Sequence, residues 1–273
     1  MRKSTIDTHR ITAIDTHAHV FHRGLAFVRE RGYTPKYDAL PEQYLALLDA
    51  NGVSHGVIIP VSILGTDNRY TLEVMEQAKG RLRGLAVVDP ETDLDSLDAL
   101  AAAGIVGIRM YLADDRSVPM LDDGPWNALV SECVRRDWHI EVYDKASRLE
   151  RIVAPLLDAG VKVVVDHFGA PDPDLGINDP GFRFLLGLGS TRRVWVKLSG
   201  PYRSSLAIAA AAAPLLLRDF GPERLLWGSD WPFTRFEKTI QYTDMRKLID
   251  DWVPDPDQRW EILAETPARL YGF

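Results

Sequence analysis

The sequence contains one cysteine, Cys133, among 273 residues. A single cysteine excludes an intrachain disulfide and is typical of a protein from a reducing compartment. The surrounding stretch "NALVSECVRRD" has the pattern of an amphipathic helix, so we expect a buried, unreactive thiol. The sequence also has no run of about 18 apolar residues, because "LAIAAAAAPLLL" is too short and contains Pro214, so no membrane span is expected.

An excess of positive charge is also missing. The formal net charge is −7, which argues against a nucleic-acid partner, although it leaves room for a local basic pocket that binds a small anion. The first ten residues, "MRKSTIDTHR", lack the apolar segment of a secretory signal. We therefore expect a cytoplasmic protein with no membrane partner, and the sequence leaves its oligomeric state open.

No glycine-rich turn follows the first strand pattern, so nucleotide binding of the Rossmann or P-loop kind has no support. Instead, eight short segments rich in Val and Ile alternate with helical patterns, as in parallel sheets that are buried on both faces. The candidate strands span 11–19, 53–60, 83–89, 105–111, 139–144, 161–167, 193–199 and 224–230. Eight such alternations predict a (β/α)₈ barrel, typically about 250 residues long, and an open doubly wound sheet is the alternative. Because no linker-like change of composition occurs, we treat residues 1–273 as one domain.

Polar and ionisable residues collect where these candidate strands end. The C-terminal ends of the strands meet at one face of a barrel, and that face carries the active site in barrel enzymes. The residues concerned are Asp15, His17, His19, Ser62, Arg109, Tyr111, Glu141, Tyr143, Asp166, His167, Lys197, Ser199, Arg203, Ser229 and Asp230.

Four of these residues, His17, His19, His167 and Asp230, stand out as a combination on strands 1, 6 and 8. Because side chains alternate along a strand, we expect His17 and His19 to share the barrel interior with Asp15. Burying such groups is costly unless they are paired. One strand-end histidine is commonly structural, and Asp230 alone fits a turn, but the combination favours a functional site.

The stretches "DTHAHVF", "VVDHFG", "LLWGSDWPF" and "ETPARLYGF" occur in this order. Together they resemble the amidohydrolase superfamily over essentially the whole chain. The resemblance implies a (β/α)₈ barrel with its active site at the strand C-termini. In most members a divalent metal lies on the two strand-1 histidines and the strand-8 aspartate, with further ligands from histidines on strands 5 and 6 and a lysine or glutamate on strand 4.

This chain departs from that ligand pattern at two strands. Strand 5 carries its histidine, His139, at the start, far from the expected site. Strand 4 offers Arg109, which is always cationic and cannot ligate a metal. We therefore favour a site without a metal cofactor. Three nitrogens and one oxygen do suit zinc, and the alternative is a single zinc or manganese ion bound by His17, His19, His167 and Asp230.

One branch of the superfamily contains lactonases, and its 2-pyrone-4,6-dicarboxylate lactonases work without metal. The stretches "PVSILGTDN", "IVGIRMY", "WHIEVY" and "KLSGPYR" resemble segments that contact substrate in that branch. Where this chain reads "RMYLADD", the pyrone enzymes tend to have an Arg-Phe-Asn-Phe type of sequence, so the identity of the lactone stays open. The resemblance implies substrate-binding roles for Ser62, Arg109, Arg116, Tyr143 and Arg203.

The resulting hypothesis is hydrolysis of a lactone that bears carboxylates. Arginines would hold the carboxylates through charge-assisted bonds, while Ser62 and Tyr143 add neutral hydrogen bonds. Asp230 would act as general base on a water that attacks the ring carbonyl. The oxyanion would then accept hydrogen bonds from three histidines in place of a metal, namely His17, His19 and His167.

Other hypotheses remain compatible with the sequence. Relatives in the same branch include a galactarolactone isomerase and sugar lactonases. A metal-dependent amidohydrolase or decarboxylase would use the same histidines and aspartate as ligands. A barrel that binds a small anion without turnover is the non-enzymatic alternative, although Asp230 beside the histidines is more acid–base equipment than binding requires.

Overall fold

The computed structural model describes residues 11–91, 94–112 and 117–273. Its strands are β1 (Ile14–Ala18), β2 (His55–Ile58), β3 (Leu82–Ala86), β4 (Ile105–Tyr111), β5 (His139–Tyr143), β6 (Lys162–Val165), β7 (Val194–Leu198) and β8 (Leu225–Trp227). Its α-helices are α1 (Pro41–Ala50), α2 (Arg69–Gln77), α3 (Ser96–Ala102), α4 (Gly124–Arg135), α5 (Leu149–Asp158), α6 (Pro180–Gly187), α7 (Leu206–Phe220), α8 (Tyr242–Trp252), α9 (Pro256–Trp260) and α10 (Thr266–Tyr271).

The eight strands form one parallel sheet in the order in which they occur along the chain. The segment that follows β8 brings the sheet back to β1, since the Asp230 amide donates to the His17 carbonyl at 2.8 Å. The His19 amide donates to the Trp231 carbonyl, also at 2.8 Å. The prediction of a (β/α)₈ barrel is confirmed, and the same closing bonds bring Asp230 next to both strand-1 histidines.

Alternating apolar side chains build two hydrophobic layers. In β6, Val164 belongs to the group inside the barrel, whereas Val163 and Val165 belong to the larger group that packs with the helices. Burying each such side chain is worth about 1.5–3 kcal/mol. The inner group consists of Ile14, Val57, Ile59, Leu85, Val164, Trp195, Leu226 and Tyr271.

Seven of the eight strands end one to three residues earlier than the sequence pattern predicts, while β4 matches its predicted bounds. The prediction for the sixth strand ran to residue 167, but β6 ends at Val165, and His167 has φ 51°. The prediction for the eighth ran to residue 230, but β8 ends at Trp227, and Asp230 has φ 63°. A positive φ interrupts the hydrogen-bond ladder between strands and is uncommon in residues other than glycine. Residues with such strained backbone conformations cluster at functional sites.

The prediction that Asp15 shares the interior with His17 and His19 was wrong. The register of β1 against β2 pairs Asp15 with Gly56 but Ala18 with Ile58, so β1 contains one extra residue, a β-bulge. The bulge reverses the alternation between Asp15 and His17. Asp15 instead accepts hydrogen bonds from the Ser229 amide at 2.8 Å, the Ser229 hydroxyl at 2.6 Å and the Tyr242 hydroxyl of α8 at 3.0 Å.

The sequence pattern over residues 256–269 predicts one continuous helix, but in the structure this helix is interrupted. Between α9 and α10 the chain forms a π-helical turn, Glu261–Glu265. The insertion of a wider turn re-aims the last helix, and α10 carries Tyr271 into the inner hydrophobic group.

Cys133 has the buried, unreactive setting that its sequence pattern predicts. It lies buried on α4, and burial raises the pKa of its thiol to about 12, which keeps it protonated.

Among the described residues no helix is both long and apolar enough to cross a bilayer. Even α7 has 15 residues, whereas a span needs about 20.

His139 leads to a prediction about stability. It begins β5 at the barrel end opposite the site, fully buried against the Tyr271 ring with centroids 5.1 Å apart, and burial lowers its pKa to about 3. The folded chain therefore keeps it neutral where the unfolded chain binds a proton, so its contribution is present above its ordinary pKa and is lost as pH falls. Between about pH 6 and 4, the free energy of unfolding should rise with pH less steeply in His139→Gln than in the wild type, by about 1.4 kcal/mol per pH unit.

Urea titrations at several pH values measure this slope. An unchanged slope in the His139→Gln variant would contradict a neutral buried imidazole in the folded state.

Candidate active site

A cavity of about 140 Å³ lies at the C-terminal ends of the strands. Three arginines line it, and no Asp or Glu is among its described lining residues. The lining consists of His19, Gly32, Tyr33, Val61, Ser62, Ile63, Arg109, Tyr111, Tyr143, His167, Arg203, Thr234 and Arg235. Such a cavity favours a small anion over a cation or a neutral apolar ligand.

Most of the predicted site residues meet at this cavity. The lining includes six of them, Ser62, Arg109, Tyr143, Arg203, His19 and His167. His17 and Asp230 are fully buried directly behind the lining. Arg116 lies outside the described residues.

The two carboxylate oxygens of Asp230 have different surroundings. Oδ2 accepts hydrogen bonds from the Tyr202 hydroxyl at 2.7 Å and from Arg203 Nε at 2.6 Å. Oδ1 is buried, has no hydrogen-bond partner in the part of the chain that the structure describes, and lies 3.6 Å from His19 Nε2. Burial opposes the charge, but the Arg203 guanidinium and the neighbouring His167, His19 and His17 together more than offset it and hold the pKa of Asp230 well below its ordinary value. Asp230 is therefore a carboxylate with one oxygen anchored and one available.

The orientation of His19 determines which of its ring nitrogens bears the proton. Its Nδ1 lies 2.8 Å from the Ile59 carbonyl oxygen, which can only accept, so Nδ1 donates. Burial lowers the pKa of His19, so the ring is neutral near pH 7 and Nε2 carries a lone pair. The described geometry thus makes His19 Nε2 an acceptor beside Asp230 Oδ1.

His17 adjoins a buried ionic network that the sequence interpretation did not assign to the site. Lys197 Nζ lies 3.2 Å from His17 Nδ1 and also donates to Glu141. Asp166 Oδ1 lies 3.2 Å from the same His17 nitrogen and 3.5 Å from Lys197 Nζ. Burial raises the pKa of Glu141 to about 8. The sequence pattern places Glu141, Asp166 and Lys197 at the strand ends but gives them no role in the site.

Arg109 is held in place by protein groups on two sides. Its Nη1 donates to the Pro60 carbonyl at 3.0 Å and its Nη2 to Asp166 Oδ2 at 3.4 Å. The side chain is 4% exposed, and its Nε has no hydrogen-bond partner. A rigid guanidinium with spare donors is suited to bidentate recognition of a carboxylate or sulfonate.

His167 contacts both the cavity and the buried side of the site. Its Nδ1 lies 2.9 Å from the Ser199 hydroxyl, and its ring packs edge-on against Tyr143 with centroids 4.9 Å apart. Burial lowers its pKa to about 4, so the ring is neutral near pH 7. The sequence interpretation missed three other residues here: Tyr202 on Asp230, and the lining residues Tyr33 and Arg235.

The amidohydrolase resemblance implies a divalent metal, and the spacing of three groups would suit one. One ligand atom from each of His17, His19 and Asp230 lies within 4.8 Å of the others, as is also true of His17, Asp166 and His167. The surroundings do not fit a dication, however, because Lys197 Nζ is 3.2 Å from His17 Nδ1 and Arg203 is bonded to Asp230. Two of the three candidate ligands thus already have a cationic partner.

Gly200 supports the site by having no side chain. It has φ 51°, and a Cβ there would lie 2.7 Å from His167 Nδ1 and 2.9 Å from Asp230 Oδ2.

Gly200→Ala should lower kcat/KM by about 10²-fold, since displacements of about 1 Å in catalytic groups have such effects. Gly52 is the matched control, because it has φ 68° but nothing within 4 Å of an added Cβ. Gly52→Ala should leave kcat/KM unchanged, and equal losses in both variants would point to backbone strain.

Fold and site together define a barrel enzyme with a histidine- and carboxylate-based centre at the strand C-termini. The sequence model of the amidohydrolase family (Amidohydro_2) matches residues 14–273, and the chain belongs to that family.

Comparison with individual relatives shows more specific similarities. The chain is 31% identical over 274 residues to a 4-sulfomuconolactone hydrolase of Rhizobium radiobacter, covering 95% of this chain and 90% of that protein. It is 30% identical over 278 residues to a 2-pyrone-4,6-dicarboxylate hydrolase of Comamonas testosteroni, with 95% and 90% covered. The structure of a probable 2-pyrone-4,6-dicarboxylic acid hydrolase from Acinetobacter baumannii, with citric acid bound, superposes with a TM-score of 0.92 at 34% identity, covering 96% of this chain and 99% of that one.

Proposed function

We propose that the protein is a lactonase that hydrolyses a small cyclic ester bearing carboxylate or sulfonate groups, without a metal cofactor. The observation that carries this proposal is a cavity whose described lining contains arginines but no carboxylate, next to a buried aspartate with one available oxygen. Two of the relatives described above are named as hydrolases of anionic lactones, and a related structure holds citric acid, a tricarboxylate.

In this proposal the cavity binds the substrate by its anionic groups. Arg109 and Arg203 hold the carboxylates or sulfonate, and Arg116 is a further candidate on the basis of the sequence resemblance alone. Ser62 and Tyr143, which line the same cavity, add neutral hydrogen bonds that orient the ring. Charge-assisted bonds to fixed guanidinium groups fix the position of the reacting carbonyl.

Asp230 and His19 then hold the attacking water. Asp230 Oδ1 and His19 Nε2 are both acceptors and lie 3.6 Å apart, so one water can donate a proton to each. The water oxygen forms a bond to the ring carbonyl carbon while Asp230 takes its proton as general base. This assigns His19 to the water, because its neutral form has no proton at Nε2 for an oxyanion.

The carbonyl oxygen becomes an oxyanion that accepts hydrogen bonds from His17 and His167. The oxyanion then re-forms the carbonyl, the bond from that carbon to the ring oxygen breaks, and Asp230 returns its proton to the leaving oxygen. The product is an open-chain carboxylic acid. An enol leaving group, as in a pyrone, departs without further acid assistance.

The experiment that tests this function is turnover of an anionic lactone in water enriched in ¹⁸O. Hydrolysis puts one ¹⁸O atom into the new carboxylate, which mass spectrometry of the product detects. An isomerised lactone without the label would favour an isomerase, and loss of carbon dioxide would favour a decarboxylase. Binding without any product across carboxylated and sulfonated lactones would favour a binding protein, and each of these outcomes would contradict the lactonase.

A further inference from the structure

We propose that Lys197 is a positioning residue that fixes the proton of His17 on Nε2, and thereby makes His17 a hydrogen-bond donor in place of a metal ligand. The proposal deepens the proposed function and rests on it for the role of that proton, whereas its test requires no substrate.

The geometry around His17 Nδ1 favours Lys197 as its partner. Lys197 Nζ lies 3.2 Å away within hydrogen-bonding geometry, and an ammonium can only donate. Asp166 Oδ1 lies equally close, at 3.2 Å, and attracts the same nitrogen, but it lies outside the direction that a ring N–H on Nδ1 would need for a hydrogen bond. Nδ1 therefore accepts from Lys197, and a neutral His17 ring carries its proton on Nε2.

The position of His17 Nε2 gives its proton a role. Among the described residues this fully buried nitrogen has no hydrogen-bond partner, and Asp230 Oδ1, which has none there either, lies 3.8 Å away. Buried polar atoms in native proteins are nearly always paired, so two such atoms facing each other indicate space for a group that arrives with the ligand. A donor on one side and an acceptor on the other suit an oxygen of the substrate and the attacking water.

The surroundings of Lys197 fix its position. Its side chain, on β7, is fully buried, and its Nζ donates to Glu141 of β5 and lies 3.5 Å from Asp166. The ammonium is thus held by acidic side chains from two other segments. The ammonium supplies positive charge at the barrel centre. Because it donates to His17 Nδ1, the ring proton stays on Nε2, and Nε2 exposes no lone pair.

Replacing Lys197 should reverse the orientation of the His17 proton. Without the ammonium, Asp166 Oδ1 becomes the nearest polar partner of Nδ1, and a carboxylate can only accept. The proton then lies on Nδ1, and Nε2 exposes a lone pair beside His19 Nε2 and Asp230 Oδ1. A histidine that donates to a carboxylate while its other nitrogen faces outward is the usual state of a metal ligand.

The experiment uses the full chain, with the double variant Lys197→Met/Glu141→Leu, which removes both members of the buried pair so that neither polar group is left without its partner. Glu141→Gln is the matched control, because it alters the network but keeps Lys197. Long-range ¹H–¹⁵N spectra of the imidazoles, with His17→Gln for assignment, report the proton position. Titration with Co²⁺, followed by its visible absorption, reports metal binding.

We expect the proton on Nε2 in the wild type and in Glu141→Gln, and on Nδ1 in the double variant. We also expect the double variant to bind Co²⁺ at least about tenfold more tightly than the wild type, the size of effect that partners of ligating histidines have on affinity. A wild-type proton on Nδ1, equal Co²⁺ affinity in both proteins, or tight Co²⁺ binding by the wild type would overturn the proposal. Failure of the lactonase assay would leave all three readouts unaffected, so the two proposals fail separately.

Discussion

Asp230→Asn should lower kcat by about 10³-fold while leaving substrate affinity within a few-fold. The size follows from the loss of general-base catalysis, which contributes about 10²–10⁴-fold. The asparagine keeps the shape of the side chain and an oxygen for Tyr202 and Arg203, which bind Oδ2 at 2.7 and 2.6 Å. It has no oxygen basic enough to take a proton from water. Discontinuous turnover assays measure kcat, and calorimetric titration with substrate measures the substrate affinity.

Tyr202→Phe is the graded control for this variant. It removes one hydrogen bond to Oδ2 but leaves the carboxylate and the available Oδ1 intact, so kcat should fall by no more than about tenfold. Retention of turnover within tenfold in Asp230→Asn would reject the base role. A loss in Asp230→Asn that is entirely a loss of affinity would assign Asp230 to binding.

Arg109→Met should raise KM for a dicarboxylate lactone by about 10²-fold, because a desolvated charge pair with a ligand is worth several kcal/mol. Arg109 is fixed by the Pro60 carbonyl and Asp166, so its guanidinium requires little reorganisation to bind the anion. Steady-state kinetics measure the change. Arg109→Lys should restore little, since an ammonium cannot reproduce two parallel N–H bonds.

The controls separate recognition from damage to the fold. Arg218→Met removes an exposed arginine paired with its neighbour Asp219 on α7 and should leave KM unchanged. A monocarboxylate analogue that lacks the group bound by Arg109 should show almost no difference between wild type and Arg109→Met. Equal losses for both substrates would contradict direct contact between Arg109 and that group.

Much of the fold is predictable from the sequence, because periodicity reports burial directly. The Val- and Ile-rich segments locate all eight strands, and the bounds of β4 agree with the predicted ones. The ends of β6 and β8 are not predictable in this way. There the backbone turns to positive φ at His167 and Asp230, a conformation imposed by neighbours distant in sequence.

The sequence indicates which residues gather at the cavity but not their hydrogen bonds, and the roles of these residues stay predictions. Strand-end positions identify His17, His19, His167 and Asp230, and the cavity brings Ser62, Arg109, Tyr143 and Arg203 together as expected. Alternation in β1 misassigned Asp15, because the bulge that turns His17 inward leaves no local pattern.

Contacts between residues that are far apart in the sequence explain why the hydrogen bonding of the site is not predictable. The bond from His19 Nδ1 to the Ile59 carbonyl joins residues 40 apart, and the contact between Lys197 and His17 joins residues 180 apart. These two contacts decide which imidazole nitrogens donate and which accept. No spacing rule in the sequence indicates them, so proton positions in the site emerge only from the folded chain.

The most direct test is the ultraviolet absorbance of 2-pyrone-4,6-dicarboxylate incubated with protein that has been treated with a chelator. A lactonase that relies on Asp230 and arginines predicts an enzyme-dependent loss of the pyrone band, at a rate unchanged by the chelator and abolished in Asp230→Asn. A band that persists until zinc or manganese is added, or that disappears equally fast with Asp230→Asn, would contradict the account.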